Sequence, residues 1–426
     1  MSSDASGGVH RSVIVSLIGT TLVWYDFFLY VSASVLVFNH RFFPYLTPFA
    51  GTLMSVGLYG VGLVARPVGG VLCGHLGDRH GRRPALVATL VLTGASTGLI
   101  GVLPAYDRIG LAAPLLLVAL RLLQGLGLGG AWGAAAVVSL ECVPPERRGR
   151  ISSWAQTGAP AGNLLAFGMM TAVSASMTSE QFVTWGWRLP FLFSAVLVAV
   201  GLWARMRIEE TPVFRALSAA GARRERPVVE LVKDHRGGLL TAVAVAVGAD
   251  VVLFTFSFGY VLTFLNIAGV PFTALLALTV LSPLALIALI PLFGLLSDRC
   301  GRRRVCLAGT VATAVWAAGF LPLVRTASLP VLVVAYLLAL AAFAAMYAPQ
   351  AAIVAGLFPS HLRLSGTTTG YQLAGLLGST LAAFLTTRAA GWFHTPAAVP
   401  AYALAALLVS GGALLITRHA PEGADT

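Results

Sequence analysis

Four charged residues stand inside long apolar runs of this chain: Asp26, Arg66, Arg121 and Asp250. A charge near the middle of a bilayer costs at least about 2.5 to 3.5 kcal/mol, so residues that persist there are expected to hold an ion, a ligand or a proton. Desolvation drives a lone carboxylate toward its neutral form, whereas an arginine beside it keeps it ionised. An acid that alternates between those two settings can carry a proton. Asp26 has Tyr30 one turn along the same helical face. Arg121, with Gln124 on its face at i+3, is its expected partner by depth; the competing reading is a static ion pair that staples helices together. Asp250 is expected near the midplane, in the same cavity as Asp26. An exposed Arg66 or Arg121 suits an anionic ligand, and Asp26 among Trp24, Tyr25 and Tyr30 suits a cation. Tyr260, Gln350, Tyr371 and Gln372 are polar residues expected in the C-terminal half of that cleft.

A second set of charges lies between the apolar runs. Gly74-His-Leu-Gly-Asp-Arg-His-Gly-Arg-Arg-Pro84 recurs as Gly294-Leu-Leu-Ser-Asp-Arg-Cys-Gly-Arg-Arg-Arg304, an offset of 220 residues. A second repeated element follows at Pro145-Glu-Arg-Arg-Gly-Arg150 and Pro359-Ser-His-Leu-Arg-Leu-Ser-Gly366. Asp78 with Arg82, and Asp298 with Arg302, are placed to make charge-assisted bonds that hold one face shut. For Arg79, Arg83, Arg299 and Arg303 the competing reading is orientation and contact with lipid headgroups.

The elements that must position these residues are helices. Of 426 residues, 57% are apolar and 10% charged, a balance outside what a soluble domain with a wetted surface carries. About 20 apolar residues cross the hydrocarbon core as a helix, and twelve such spans are expected: 13–38, 49–74, 85–103, 112–141, 151–176, 188–206, 239–265, 272–297, 305–324, 329–356, 365–387 and 399–417. The first is too long, and too rich in aromatics, for a cleaved leader. The polar stretch between the sixth and seventh spans and the internal repeat divide the chain into an N-terminal six-helix bundle at 1–206, a central linker at 207–238 and a C-terminal six-helix bundle at 239–426.

The formal net charge of +12 does not point to nucleic acid, because most of the arginines fall in the N-terminus, the even-to-odd loops and the C-terminus. By the positive-inside rule that places both termini in the cytoplasm. The four cysteines, Cys73, Cys142, Cys300 and Cys306, lie at or near that reducing side, and neither a disulfide nor a metal site is expected. Gly125 to Gly133, Gly158 to Gly162 and Gly370 to Gly378 supply small residues where helices approach closely. Two six-helix bundles that share a cleft suit alternating access.

The chain resembles the major facilitator superfamily, and within it the metabolite:proton symporters that include shikimate, dicarboxylate and proline/betaine carriers. The resemblance rests on Trp24-Tyr-Asp-Phe-Phe-Leu-Tyr30, Arg66-Pro-Val-Gly-Gly70, Arg121-Leu-Leu-Gln-Gly125, Gly186-Trp-Arg-Leu-Pro-Phe191, Glu209-Glu-Thr-Pro-Val-Phe214 and Ala348-Pro-Gln-Ala-Ala352. It implies that Glu141 and Arg148 form the family's Glu-x6-Arg element and extend the gate, with Gly356 and Arg363 as the counterpart pair. It also implies glutamates at three places that hold Val23, Ala131 and Gly356 here.

The combined expectation is an all-α, multi-pass protein of the cytoplasmic membrane, a monomer that moves a small organic acid or zwitterion together with protons and uses no cofactor. Export of a drug or natural product on the same fold is the alternative; a transporter-like receptor is a third reading. No span carries a nucleophile with its base, so an enzyme is not expected.

Overall fold

The computed structural model describes residues 3–206, 209–222, 224–257, 265, 270–326, 328–380 and 398–417. Among these no strand occurs. The long helices are α1 (Ser3–Ala33), α2 (Pro48–His80), α3 (Arg82–Val102), α4 (Ala112–Glu141), α5 (Arg148–Gln156), α6 (Gly158–Ala175) and α7 (Arg188–Met206). Two short helices, α8 (Pro212–Ala219) and α9 (Pro227–Asp234), fill the polar stretch. Then come α10 (Arg236–Ser257), α11 (Phe272–Cys300), α12 (Arg302–Thr326), α13 (Leu329–Tyr347), α14 (Gln350–Ala355), α15 (Arg363–Gly375) and α16 (Ala398–Ile416).

Local sequence explains where these helices begin, bend and stop. Thr47 opens α2 by accepting the Ala50 N–H at 3.3 Å, with Pro48 at the first helical position. Nothing breaks α2 before Gly81, whose φ of 125° ends it; Gly301, at 95°, ends α11 in the same way. Each helix therefore runs past the span expected from hydropathy and carries its Asp, Asp78 or Asp298, on its last turn. Pro67 sits inside α2, and Pro283 and Pro291 inside α11, where each ring removes a backbone donor. The fifth span is broken between α5 and α6 at Thr157, and the tenth between α13 and α14.

Seven of the described helices are long and apolar enough to cross a membrane, and the pair Ser179–Gly186 and Arg188–Trp203, bent by 45°, makes an eighth if it is one span. Apolar side chains face outward on them, with Leu240 69% and Leu408 73% exposed. In water such a surface would aggregate; in lipid it is the solvated face.

The buried apolar residues gather in two large cores. One is built from residues 22 to 191 with Phe254, and the other from residues 231 to 414. Within the first half α2 packs on α4, α3 on α4 and α7, and α1 on α6; within the second, α10 packs on α15 and α16, and α12 on α13 and α16. The halves meet along two matching seams, α15 on α2 and α4, and α11 on α5 and α6. Small residues make the seams close: a Cβ at Gly74 would meet the Ser365 backbone, and one at Gly294 the Ser153 side chain.

Candidate functional site

The repeated motifs grip one another crosswise. Asp78 accepts the N–H groups of Leu364 (3.3 Å) and Ser365 (2.7 Å), the first turn of α15. Asp298 accepts those of Gly149 and Arg150, both at 2.8 Å, in the first turn of α5. A carboxylate at a helix N-terminus satisfies orphan amides and meets the positive end of the helix dipole. The arginines repeat the pattern, for Arg82 donates to the Ser360 carbonyl at 2.7 Å and Arg302 to the Pro145 carbonyl. Each half's first repeated loop thus holds the other half's second repeated element, and this face is shut.

The two grips differ in their shells. Arg82 and Asp78 pair at 3.0 Å with both side chains fully buried, and Glu141 joins them at 3.3 Å. Glu141 also receives the Thr211 hydroxyl at 2.6 Å and Arg363 at 3.7 Å. Arg302 and Asp298 stand 3.6 Å apart and remain partly exposed. Burial pushes the Asp78 carboxyl up to about 6, while Arg82 and the Ser365 N–H pull it back; two carboxylates share one guanidinium in a dry site. The linker seals the first grip, since Glu210 accepts the N–H groups of Arg82 and Arg83 at the start of α3.

Arg79, Arg299, Arg148 and Arg363 are the other residues expected at this gate. Arg79 and Arg299 are exposed on the last turns of α2 and α11: one residue past each Asp the helix has turned by about 100°, which aims them away from the seam. Arg148 heads α5, beside the amides that bind Asp298, while Glu141 takes Arg82 as its near partner. Arg363, without an acid at Gly356, reaches Glu141 of the first half instead.

The intramembrane residues fall into two groups rather than one. The first lies inside the N-terminal half. Asp26 is 1% exposed and accepts the Ser194 hydroxyl from α7, with the Thr97 hydroxyl beside it. Arg121 belongs to the same group. The guanidinium donates to Gln124 one turn along and stacks on the Tyr30 ring, 3.5 Å from its centroid. Gln124 closes the group by donating to Thr97 Oγ1 at 2.7 Å and to the Asp26 carbonyl at 3.3 Å. Gln124 thus links the Arg121 guanidinium to the Asp26 backbone.

The second group spans both halves. Arg66 on α2 donates through Nε to Gln372 Oε1 on α15 at 3.0 Å, and Gln372 donates onward to the Gly129 carbonyl at 2.7 Å. The Arg66 guanidinium lies 6.0 Å from the Trp24 ring centre. Asp250 on α10 is buried against Gly375 and Gly378, and its Oδ2 has no hydrogen-bond partner among the described residues. Arg66 is the cation that acts on it. Tyr371 stacks face to face on Trp132 of α4, centroids 3.7 Å apart and planes at 13°, and Trp132 Nε1 donates to Tyr347 Oη at 3.2 Å. Gln350 is buried at the start of α14 with its side-chain amide unpartnered among the described residues. Tyr260 lies outside the described residues.

Two narrow cavities adjoin these groups. One is lined by Arg66 with Thr20, Val23, Trp24, Leu128, Ala131 and Trp132, and the other by Arg121 and Gln124 with Val23 and Leu128 among their neighbours. They share Val23 and Leu128 as a common wall. The resemblance implied acids at Val23 and Ala131, and both positions face the Arg66 cavity as apolar groups. Sequence reasoning missed Trp132, Tyr347, Ser194 and Gln156; the last donates from α5 to the carbonyls of Tyr347 (2.9 Å) and Ala348 (2.7 Å). A polar Gln within the glycine-rich fifth span was the available signal.

The chain matches the sugar (and other) transporter family over residues 12–226 and the major facilitator superfamily over residues 251–425. It is 37% identical over 429 residues to the inner membrane metabolite transport protein YhjE of Escherichia coli K12, covering 96% of this chain and 95% of that one. It is also 37% identical to the shikimate transporter of the same strain, over 96% and 94%. The proline/betaine transporter of that strain is 29% identical over 95% of this chain and 82% of its own. Among solved structures, a double-Trp mutant of XylE superposes with a TM-score of 0.80 at 16% identity, over 96% of this chain and 94% of that one, which establishes the shared fold. This chain belongs to the major facilitator superfamily, and it is a membrane transporter.

Proposed function

We propose that the chain is a proton-coupled secondary carrier of a small organic acid or zwitterion that works by alternating access in the cytoplasmic membrane. In this reading twelve spans form bundles at 1–206 and 239–426, joined by the linker at 207–238, with both termini in the cytoplasm and a monomer as the working unit. The observation that carries the proposal is the Arg66–Gln372 bond at 3.0 Å across the seam, beside the buried Asp250. Charged and polar groups from both halves converge on one cleft, and the latch among the described residues lies on one face. Release of that latch opens the cleft to the cytoplasm; its closure, with rocking of the halves, opens it to the other side.

The neighbours' substrates support the same class. Relatives are named for shikimate and for proline and betaine, all of which carry a carboxylate, and a fold neighbour is described as a proton:xylose symporter. The test is uptake of labelled shikimate, proline and glycine betaine into proteoliposomes with and without an imposed pH gradient. A gradient that accelerates uptake supports the reading. Wild-type uptake indifferent to the gradient would replace symport by facilitated diffusion.

A further inference from the structure

The charge balance around Arg66 has a consequence for how substrate and proton are linked. Arg66 is 3% exposed, lines a cavity that contains no acid, and makes no ion pair within 4.0 Å among the described residues. Val23 and Ala131 stand where an internal carboxylate would have neutralised it. Among the described residues the anion in its field is Asp250, packed against Gly375, one turn along α15 from the Gln372 that binds Arg66, and against Gly378, with its Oδ2 unpartnered there. The other titratable groups that feel Asp250 are the hydroxyls of Tyr347 on α13, Tyr371 on α15 and Tyr402 on α16. None of them supplies a second charge.

We propose that Arg66 is the receptor for a substrate carboxylate, that Asp250 is its standing counter-ion in the empty carrier, and that a bound carboxylate releases Asp250 to take up one proton. This rests on the carrier reading above. The empty site holds Arg66 (+1) and Asp250 (−1) and is neutral. With an anion and no proton it is left at −1, and with a proton and no anion at +1; a net charge in a dry, low-dielectric cleft is costly. With both bound it is neutral again. Only the empty and the doubly loaded forms can close and reorient, so one proton crosses with each carboxylate: it enters on Asp250 from the outer side and leaves to the cytoplasm after the anion. For a monocarboxylate such as shikimate the cycle moves no net charge.

The absence of acids at positions 23 and 131 gives the proposal a chain-specific test. Ala131→Glu places an internal carboxylate in the Arg66 cavity and should compete with any substrate anion. Asp250→Asn imitates the protonated acid permanently and removes the standing competitor.

The experiment uses the full chain in proteoliposomes, with labelled shikimate, proline and glycine betaine as probes and binding followed by the fluorescence of Trp24 and Trp132, which flank Arg66. Wild-type shikimate uptake should respond to a pH gradient and ignore a potassium-diffusion potential. Asp250→Asn should bind shikimate about tenfold more tightly while losing pH-driven accumulation; Arg66→Gln and Ala131→Glu should lose binding at least tenfold, and Arg66→Lys should recover part of it. Shikimate uptake driven by the potential alone would overturn the proposal, as would gradient-driven accumulation by Asp250→Asn or unchanged shikimate affinity in Arg66→Gln. Failure of all three carboxylates to bind while xylose is carried down a proton gradient would also overturn it and leave the carrier reading intact. Monodisperse elution of each variant separates these outcomes from misfolding.

Discussion

Asp78 accepts the backbone N–H of Ser365 at 2.7 Å, and that bond ties the end of α2 to the start of α15 on the face where the repeated loops meet. Its counterpart from Asp298 to Gly149, at 2.8 Å, does the same for α11 and α5. The bonds are alike; their surroundings are not. Asp78 is dry and shares Arg82 with Glu141, whereas Asp298 and Arg302 keep contact with solvent. An exposed ion pair is worth roughly 0 to 1 kcal/mol, while unpairing a buried one costs about 3 to 5. Arg82→Gln should therefore lower the initial transport rate at least tenfold, and Arg302→Gln only several-fold, at matched expression. Equal losses would show that the shells do not matter.

The Asp78 carboxyl also makes closure pH-dependent. In the latched state it is raised to about 6; once the latch opens, water returns it toward the ordinary value of about 4. The closed state thus binds the proton more tightly. Closure is favoured fully below about pH 4, loses ground as pH rises to about 6 and is flat above that, with a slope of at most ~tenfold per pH unit for one proton. Spin labels replacing Arg79 and Arg299, both exposed on this face, report the distance across it. The short-distance population should fall between pH 4 and 6 in an otherwise wild-type protein and stay level with Asp78→Asn. A population that rises with pH would contradict the assignment.

How far the sequence reveals this arrangement depends on what kind of atom does the holding. The i,i+4 spacing of Asp78 with Arg82 and of Asp298 with Arg302 was legible, because both partners are side chains in a repeated motif. Their other partners were hidden, since the amides of Ser365 and Gly149 carry no mark in the sequence. The intramembrane charges show a second limit: hydropathy fixes how deep Asp26 and Arg121 lie, yet depth leaves the direction around the helix open. Asp26 faces Ser194 on α7, and Arg121 folds back on Gln124 and Tyr30. The division into an intra-half group and an inter-half group needed tertiary packing. Polarity alone singles out Gln372 and Tyr371, and both touch the other half, at Arg66 and Trp132.

The two motif glycines give a paired test of local strain. Alanine at a positive φ costs roughly 1 to 2 kcal/mol. At Gly301, with φ of 95°, a Cβ meets only the Arg304 Cδ at 3.9 Å, whereas at Gly81 it runs into the Glu210 carboxylate that holds α3. Gly301→Ala should lower thermal stability by the backbone cost alone; Gly81→Ala should lower it further and loosen the linker. Scanning unfolding of the purified variants in detergent checks this, and equal midpoints would count against the Glu210 clasp.

The Trp132–Tyr371 stack sets how readily the cleft floor parts once the latch is released. It joins α4 of one half to α15 of the other, and the Trp132 bond to Tyr347 adds a third helix. An aromatic pair contributes about 0.5 to 1.5 kcal/mol beyond its buried area, all of it present only while the halves are together on this side. Trp132→Ala and Tyr371→Ala should each raise the open population on the latch face several-fold, by the same pair of spin labels. The double variant should add less than the sum of the singles, because the second truncation removes a contact already lost. Strictly additive shifts would mean that the rings act separately and that Gln156, bonded to Tyr347 and Ala348, holds the floor instead.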